Sequence, residues 1–176
     1  FVEVKSSPVG GLGLYALKDL NIGDVALTES PFLSVRGIEW ENLSSALSPS
    51  SPSSKRIIEA VAALPAEHSK LFWTFGQAPT YGDTPNAPGI FWTNCIATQP
   101  DEEQGAWCMY EHISRLNHSC VPNVQWTYNI KSGLLSVRGF RGVRQGQELL
   151  VSYHPEDSDS EGEEGGPGRW QEEDET

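Results

Sequence analysis

The sequence predicts a β-rich α+β domain of several short β-sheets with a helical insert. Three observations carry that reading. Short apolar runs set between glycine- and asparagine-containing turns fill residues 1–40 and the stretch after Val121. Val124, Trp126, Tyr128 and Ile130 alternate with polar residues, the period of a half-buried strand. Between these two strand-forming halves the apolar period changes to that of a helix.

The elements follow in order. Gly10-Gly11-Leu12-Gly13 leads into Leu14-Tyr15-Ala16, a glycine-rich turn opening a strand. Asn21-Ile22-Gly23-Asp24 is turn chemistry, and Val25 to Val35 then reads as one or two strands broken near Pro31. The Ser/Pro-rich residues 44–54 read as an exposed loop. Ile57, Ile58, Val61 and Leu64 share one helical face, and Pro65 stops the pattern. Ala66 to Phe75 reads as a second helix with Leu71, Phe72 and Phe75 inward, and residues 76–90 as a Gly/Pro-rich loop. After Val124–Ile130, Lys131-Ser132-Gly133 turns the chain into a return strand through Leu135, Val137 and Gly139. Gln145-Gly146 then introduces Glu148–Tyr153, a short buried strand ending on a tyrosine.

A chain of 176 residues suits one compact domain that can bury most of its apolar surface. Three cysteines without a Cys-x-x-Cys pair exclude a disulfide scaffold and a self-contained four-ligand zinc knot. No apolar run approaches the roughly 20 residues that span a bilayer, so no membrane association is expected. A reducing nuclear or cytoplasmic setting is expected. The first residue is Phe1, so a processed, trimmed or partial chain is expected. Of the 24 acidic residues, ten fall within 155–176 beside one base, Arg169. That stretch is expected to be a disordered, solvated tail anchored by nothing except Trp170. It could attract basic partners, and its charge argues against direct nucleic-acid binding.

Three places could carry chemistry. The glycines at 10, 11 and 13 let a backbone approach a ligand or simply turn the chain. They are no dinucleotide fingerprint, because no crossover helix follows. Arg115-Leu116-Asn117-His118-Ser119-Cys120-Val121-Pro122-Asn123 packs polar groups densely beside an apolar leader. Its side chains could tie down their own turn. Cys120 could be a nucleophile with His118 as base, although a two-residue spacing makes that geometry hard to reach. Cys95, Cys108, His112, His118 and Cys120 match no closed zinc pattern, so no metal is expected. Tyr153, at a strand end, could equally serve the core.

Taken together, Gly11-Leu12-Gly13-Leu14-Tyr15-Ala16, the Asn117-His118-Ser119-Cys120-Val121-Pro122-Asn123 stretch and Gly146-Gln147-Glu148-Leu149 leading to Tyr153 are far more specific than any one of them. The sequence resembles a SET domain, the fold of protein lysine methyltransferases, and looks most similar to the SMYD-like branch and related fungal SET proteins. Trp92-Thr93-Asn94-Cys95-Ile96 looks like the strand entering the second half of such domains. The resemblance implies a SET domain over residues 1–154, with 41–90 as variable insert and a C-terminal pseudoknot joining the Asn117 and Tyr153 strands.

By the same resemblance, S-adenosyl-L-methionine is the cofactor. The backbone of Gly10, Gly11, Leu12 and Gly13 would hold its methionine and adenosine portions. Asn117 and His118 would contact its amino-acid and adenine parts, and Tyr153 would stand at the transferred methyl. The expected substrate is an exposed protein lysine, such as one in a histone tail, and the expected state is a monomer. SMYD-like proteins carry a cysteine-rich segment after the tyrosine, three of whose cysteines join the Asn-His-Ser-Cys cysteine on zinc. Residues 155–176 contain no cysteine. Retained cofactor binding with impaired catalysis is the expectation from that departure. The alternatives are a non-catalytic module recruiting basic partners and a plain globular domain.

Overall fold

Gly10 and Gly11 adopt φ of 123° and 62° in the computed structural model, a region that favours glycine because it has no Cβ. They turn β1 (Val2–Ser6) back into β2 (Leu12–Ala16) as an antiparallel pair with Ser6 opposite Leu12. The structure describes residues 1–38, 44, 48, 50–98 and 105–153. The acidic stretch 155–176, the domain end at 154 and parts of the 41–90 insert and Ser/Pro loop lie outside the described residues.

Two compact units form, one from Phe1–Thr28 with the chain from Leu116 onward, the other from Glu29–Arg115. The first unit holds most of the predicted strands. β3 (Val25–Glu29), β8 (Val124–Asn129) and β9 (Leu134–Gly139) make a three-stranded sheet in the order β3-β9-β8. Its hairpin pairs Trp126 with Val137 and turns at Gly133, φ 70°. The predicted alternation holds: Val124, Leu135 and Val137 are buried, Gln125 and Thr127 exposed. Ile130 lies in the exposed turn instead of continuing the strand.

The other sheet of this unit runs β1-β2-β10-β7, with β7 at Asn117–His118 and β10 at Glu148–Val151, so the predicted strand stops two residues short of Tyr153, which is exposed instead of buried. β10 pairs antiparallel with β2 and parallel with β7, Leu150 facing Asn117 and Val151 facing His118. The C-terminal strand is thus inserted between an N-terminal strand and the Asn-His stretch, as the expected pseudoknot requires. A two-residue parallel ladder is weak alone. Asn123 reinforces it. Its backbone N–H donates to the Leu150 carbonyl at 3.0 Å, its Oδ1 accepts from the Leu150 N–H at 2.8 Å, and its Nδ2 donates to the Glu148 carbonyl at 2.8 Å.

In the second unit, β4 (Leu33–Arg36), β6 (Ala106–Met109) and β5 (Ile96–Thr98) form an antiparallel sheet ordered β4-β6-β5. Helix α1 (Pro52–Ala62) begins at Ser51, whose side chain accepts from the Ser54 N–H at 3.0 Å. Ile57 and Val61 face the core, whereas Ile58 is 41% exposed and leaves the predicted face. Helix α2 (Ala66–Phe72) ends earlier than expected, yet Phe75 is still buried beyond it.

Two expectations fail here. Residues 76–90 are more than a loop, and Trp92–Asn94 are helical instead of strand. A 3₁₀ turn spans Pro79–Tyr81, and helix α3 runs Ala87–Asn94 before β5 begins at Ile96. Asn86 caps α3 by accepting from the Gly89 N–H at 2.9 Å, and Pro88 sits in its first turn, where no N–H partner is lost. Ile90, Phe91 and Trp92 are all buried, so the helix lacks the polar face that periodicity needs.

Replacing Asn123 by Ala should cost about 1–3 kcal/mol, because the Leu150 N–H and Glu148 carbonyl lose their partner. Urea titration measures it, with exposed Ile58→Ala as a control expected within about 0.5 kcal/mol. An unmoved midpoint for Asn123→Ala would show that β10 does not depend on this side chain.

Candidate active site

The site is built around a carboxylate on β10. Glu148 Oε1 accepts from Asn117 Nδ2 at 2.8 Å; Oε2 accepts from the Ser7 hydroxyl at 3.0 Å, and the Tyr15 hydroxyl shares its proton between Oε2 at 3.3 Å and the Ser6 carbonyl at 3.1 Å. These donors come from β7, the glycine turn and β2. Ser7 opens that turn: its N–H donates to the Gly11 carbonyl at 3.0 Å, and its carbonyl accepts from the Gly10 N–H at 3.2 Å. Gly13 lies under the carboxylate, where a Cβ would overlap Glu148 Oε1 and stand 3.0 Å from Asn117 Nδ2. Desolvation, then the Glu148 charge, raises the Tyr15 phenol above its ordinary pKa. Tyr15 therefore remains a donor.

Asn117 has one amide orientation. Its Nδ2 donates to Glu148 Oε1 and to the Leu12 carbonyl at 3.2 Å. Both partners are acceptors only, so the nitrogen must stand there. Among the described residues Oδ1 accepts no hydrogen bond, leaving its lone pairs for an outside donor.

His118 is fixed by the same logic. The Tyr153 backbone N–H donates to its Nδ1 at 3.0 Å. In the neutral ring, Nε2 then carries the proton. Cys120 Sγ lies 3.4 Å from Nε2, so proximity, which the spacing made hard to expect, is achieved. The protonation is wrong for catalysis: Nε2–H faces sulfur as a donor and cannot take the thiol proton. The nucleophile reading fails on that ground.

Tyr153 packs its ring 5.2 Å from that of His118, tilted by 50°. Its hydroxyl donates to the Leu116 carbonyl at 2.7 Å, and burial raises its pKa above 10. Tyr153 is a protonated donor at neutral pH and has no capacity as a base.

Of the predicted site residues, Leu12, Gly13, Asn117, His118 and Tyr153 are linked by these bonds and contacts. Gly10 and Gly11 stand on an exposed turn joined to the cluster through Ser7. Sequence reasoning missed Glu148, Ser7, Tyr15 and Asn123. The usable signal was an acid, Glu148, heading an otherwise apolar strand.

The residues weighed as metal ligands have other engagements. Cys108 is buried against the Ser34 hydroxyl at 3.1 Å, and His112 Nδ1 meets the Glu29 carboxylate. Burial holds the Cys95 thiol protonated far above its ordinary range. Among the described residues no three His, Cys, Asp or Glu side chains gather as a metal site.

The SET domain family model matches residues 11–154. A curated relative, histone-lysine N-methyltransferase set5 of Schizosaccharomyces pombe, is 26% identical over 152 residues, 86% of this chain. The matched region covers 41% of that relative, so the chain spans about two-fifths of its length. A solved Plasmodium falciparum structure, described as a candidate histone methyltransferase, aligns at TM-score 0.44 and 14% identity, covering 87% of this chain and 96% of that one.

Gly13→Ala should destabilise the protein by about 1–3 kcal/mol through overpacking against Glu148. Gly142→Ala, where a Cβ meets open space, should stay within about 0.5 kcal/mol. Denaturant unfolding of the pair checks this; equal midpoints would mean that Glu148 moves aside freely.

Proposed function

The chain belongs to the SET domain family, and from that premise we propose that it is a protein-lysine N-methyltransferase using S-adenosylmethionine. The observation that carries the reading is the convergence of the glycine turn, the Asn117-His118 strand and the segment from β10 to Tyr153 through Glu148 and His118.

The residues fit the cofactor. Asn117 Oδ1, with both amide hydrogens engaged elsewhere, suits an ammonium group. A Cβ at Gly10 or Gly11 would meet nothing within 4 Å, so that turn leaves its backbone open to a ligand. Gly10, Gly11, Leu12, Gly13, Asn117 and His118 would hold the molecule, and Tyr153 would face its reacting end. When bound, S-adenosylmethionine supplies an electrophilic methyl carbon on a sulfonium.

The substrate lysine must arrive as a free amine. Its ordinary pKa near 10.4 sets a cost of about 4–5 kcal/mol at pH 7, which apolar surroundings reduce by disfavouring the ammonium. The chain offers no base at Tyr153, so its contribution is alignment. The Tyr153 hydroxyl is fixed on the Leu116 carbonyl, while the residue stays 45% exposed and able to border a lysine side chain.

A basic protein segment such as a histone tail fits the net charge of −12, which repels nucleic acid. The S. pombe relative is named for histone lysine, in keeping with this substrate class. Action as a monomer in the nucleus or cytoplasm completes the proposal. No helix among the described residues is long and apolar enough to cross a membrane.

Calorimetry with S-adenosylmethionine should show binding, and a radiolabelled donor should label lysine-containing histone peptides. Tyr153→Phe should lower transfer roughly 10²-fold through misalignment while leaving binding nearly unchanged. Absence of heat would overturn the cofactor assignment. Labelling unaffected by Tyr153→Phe would overturn the assignment of the reacting end.

A further inference from the structure

We propose that Glu148 is a positioning residue for the methyl donor, acting through Asn117. The inference rests on the function proposed above and assigns a new residue to the same site.

A terminal amide can present either its oxygen or its nitrogen to a ligand, and the two ends have opposite polarity. A half-turn of the Asn117 amide would present hydrogens to an ammonium group and lose binding. Glu148 forbids that half-turn. It would set Asn117 Oδ1 against Glu148 Oε1 and the Leu12 carbonyl, replacing two hydrogen bonds by two lone-pair contacts. The carboxylate bond is the shorter of the two and is charge-assisted, so it dominates the choice.

The carboxylate is itself oriented. Ser7 donates to Oε2, and the Tyr15 hydroxyl shares its proton between Oε2 and the Ser6 carbonyl, so Oε1 is the atom turned to Asn117. Ser7 also belongs to the glycine turn, so one side chain sets both the turn and the amide. Gly13 leaves the space that the carboxylate needs to reach them.

Glu148→Gln tests this with minimal change of shape. Its amide oxygen can still accept from Asn117 if its nitrogen faces Ser7 and Tyr15, whose hydroxyls can rotate to accept. The bond to Asn117 becomes neutral, and the amide lock weakens. Calorimetry with S-adenosylmethionine should give a dissociation constant raised roughly tenfold, as expected when a charge-assisted bond becomes neutral. The KM for the donor should rise likewise, with kcat at saturation changed less than about threefold.

In a cycle with Asn117→Ala, the double variant should bind no more weakly than Asn117→Ala alone, because Glu148 acts through that amide. Should Glu148→Gln fail to fold, side-chain amide NMR of the wild-type protein replaces it. The Asn117 resonance shifted downfield by the carboxylate should persist when the donor saturates; its return to free-amide values would overturn the proposal. Unchanged affinity in folded Glu148→Gln, or full additivity in the cycle, would overturn it while leaving the proposed function intact. Absence of donor binding by the wild-type protein would overturn both.

Discussion

A carboxylate taken partly out of water must be met by donors, and here that requirement falls on Glu148. Each oxygen of this side chain accepts at least one hydrogen bond, from Asn117, Ser7 and Tyr15. Withdrawing a charge without such partners would cost several kcal/mol, by order of magnitude. Asn117 lies more than a hundred residues from Ser7 and Tyr15 along the chain, and Glu148 lies beyond Asn117, so satisfying one group gathers three stretches of chain. Gly13 is the steric half of the same constraint, because any side chain there would occupy the space of the carboxylate. The glycine motif thus serves two purposes: turning the chain at Gly10 and Gly11, and making room at Gly13.

The same region solves a backbone problem. β10 meets β7 over only two residue pairs, too few for a stable ladder alone. Ser119 adds its N–H to the Val151 carbonyl at 2.9 Å, and Asn123 satisfies both backbone groups of Leu150. The polar density from Asn117 to Asn123 is explained by these bonds. Asn117 works on a carboxylate, Ser119 and Asn123 on a strand, and His118 on the Tyr153 N–H. Little of it ties down its own turn; the Val121 N–H on Ser119 Oγ at 3.0 Å is such a local bond. Placement of Tyr153 follows, since the residues before it in β10 are held on both sides.

How much of this was legible in the sequence depends on whether the signal was local. The hairpin around Gly133 was readable because alternation and turn chemistry agree over adjacent residues. The break near Pro31 was readable for the same reason. Helix α3 was hidden: Gly and Pro around its start resembled a loop, and burial of five successive residues from Pro88 to Trp92 removed its period. Asn86 before Pro88 was the cap signal that competed with that composition. Ile58 shows the limit of periodicity, since a residue at the edge of a helical face can turn to solvent. At the site, Asn117, His118 and Tyr153 were visible through a family resemblance. Glu148 gave only a weak local signal, because an acid at the first position of a strand ordinarily faces water. Its partners are far away in sequence, so no window of residues could reveal them.

The hydrogen-bond pattern also limits the chemistry the site can perform. Tyr153 is a donor engaged on a carbonyl and is made less acidic by burial. The bond at His118 Nδ1 directs the ring proton to Nε2, and Cys120 meets that proton. Asn117 turns only its oxygen outward. None of these groups is arranged to remove a proton from a substrate at neutral pH, so a reaction that depended on a strong base here would be poorly served. Displacement at a methyl group by an amine already deprotonated needs alignment and an electropositive donor instead. Fixed polar orientations supply alignment before any ligand arrives, and they need no reorganisation during the reaction. For the proposed transfer, the order of these polar groups would matter more than the strength of any acid or base, and that order depends on the packing around one carboxylate.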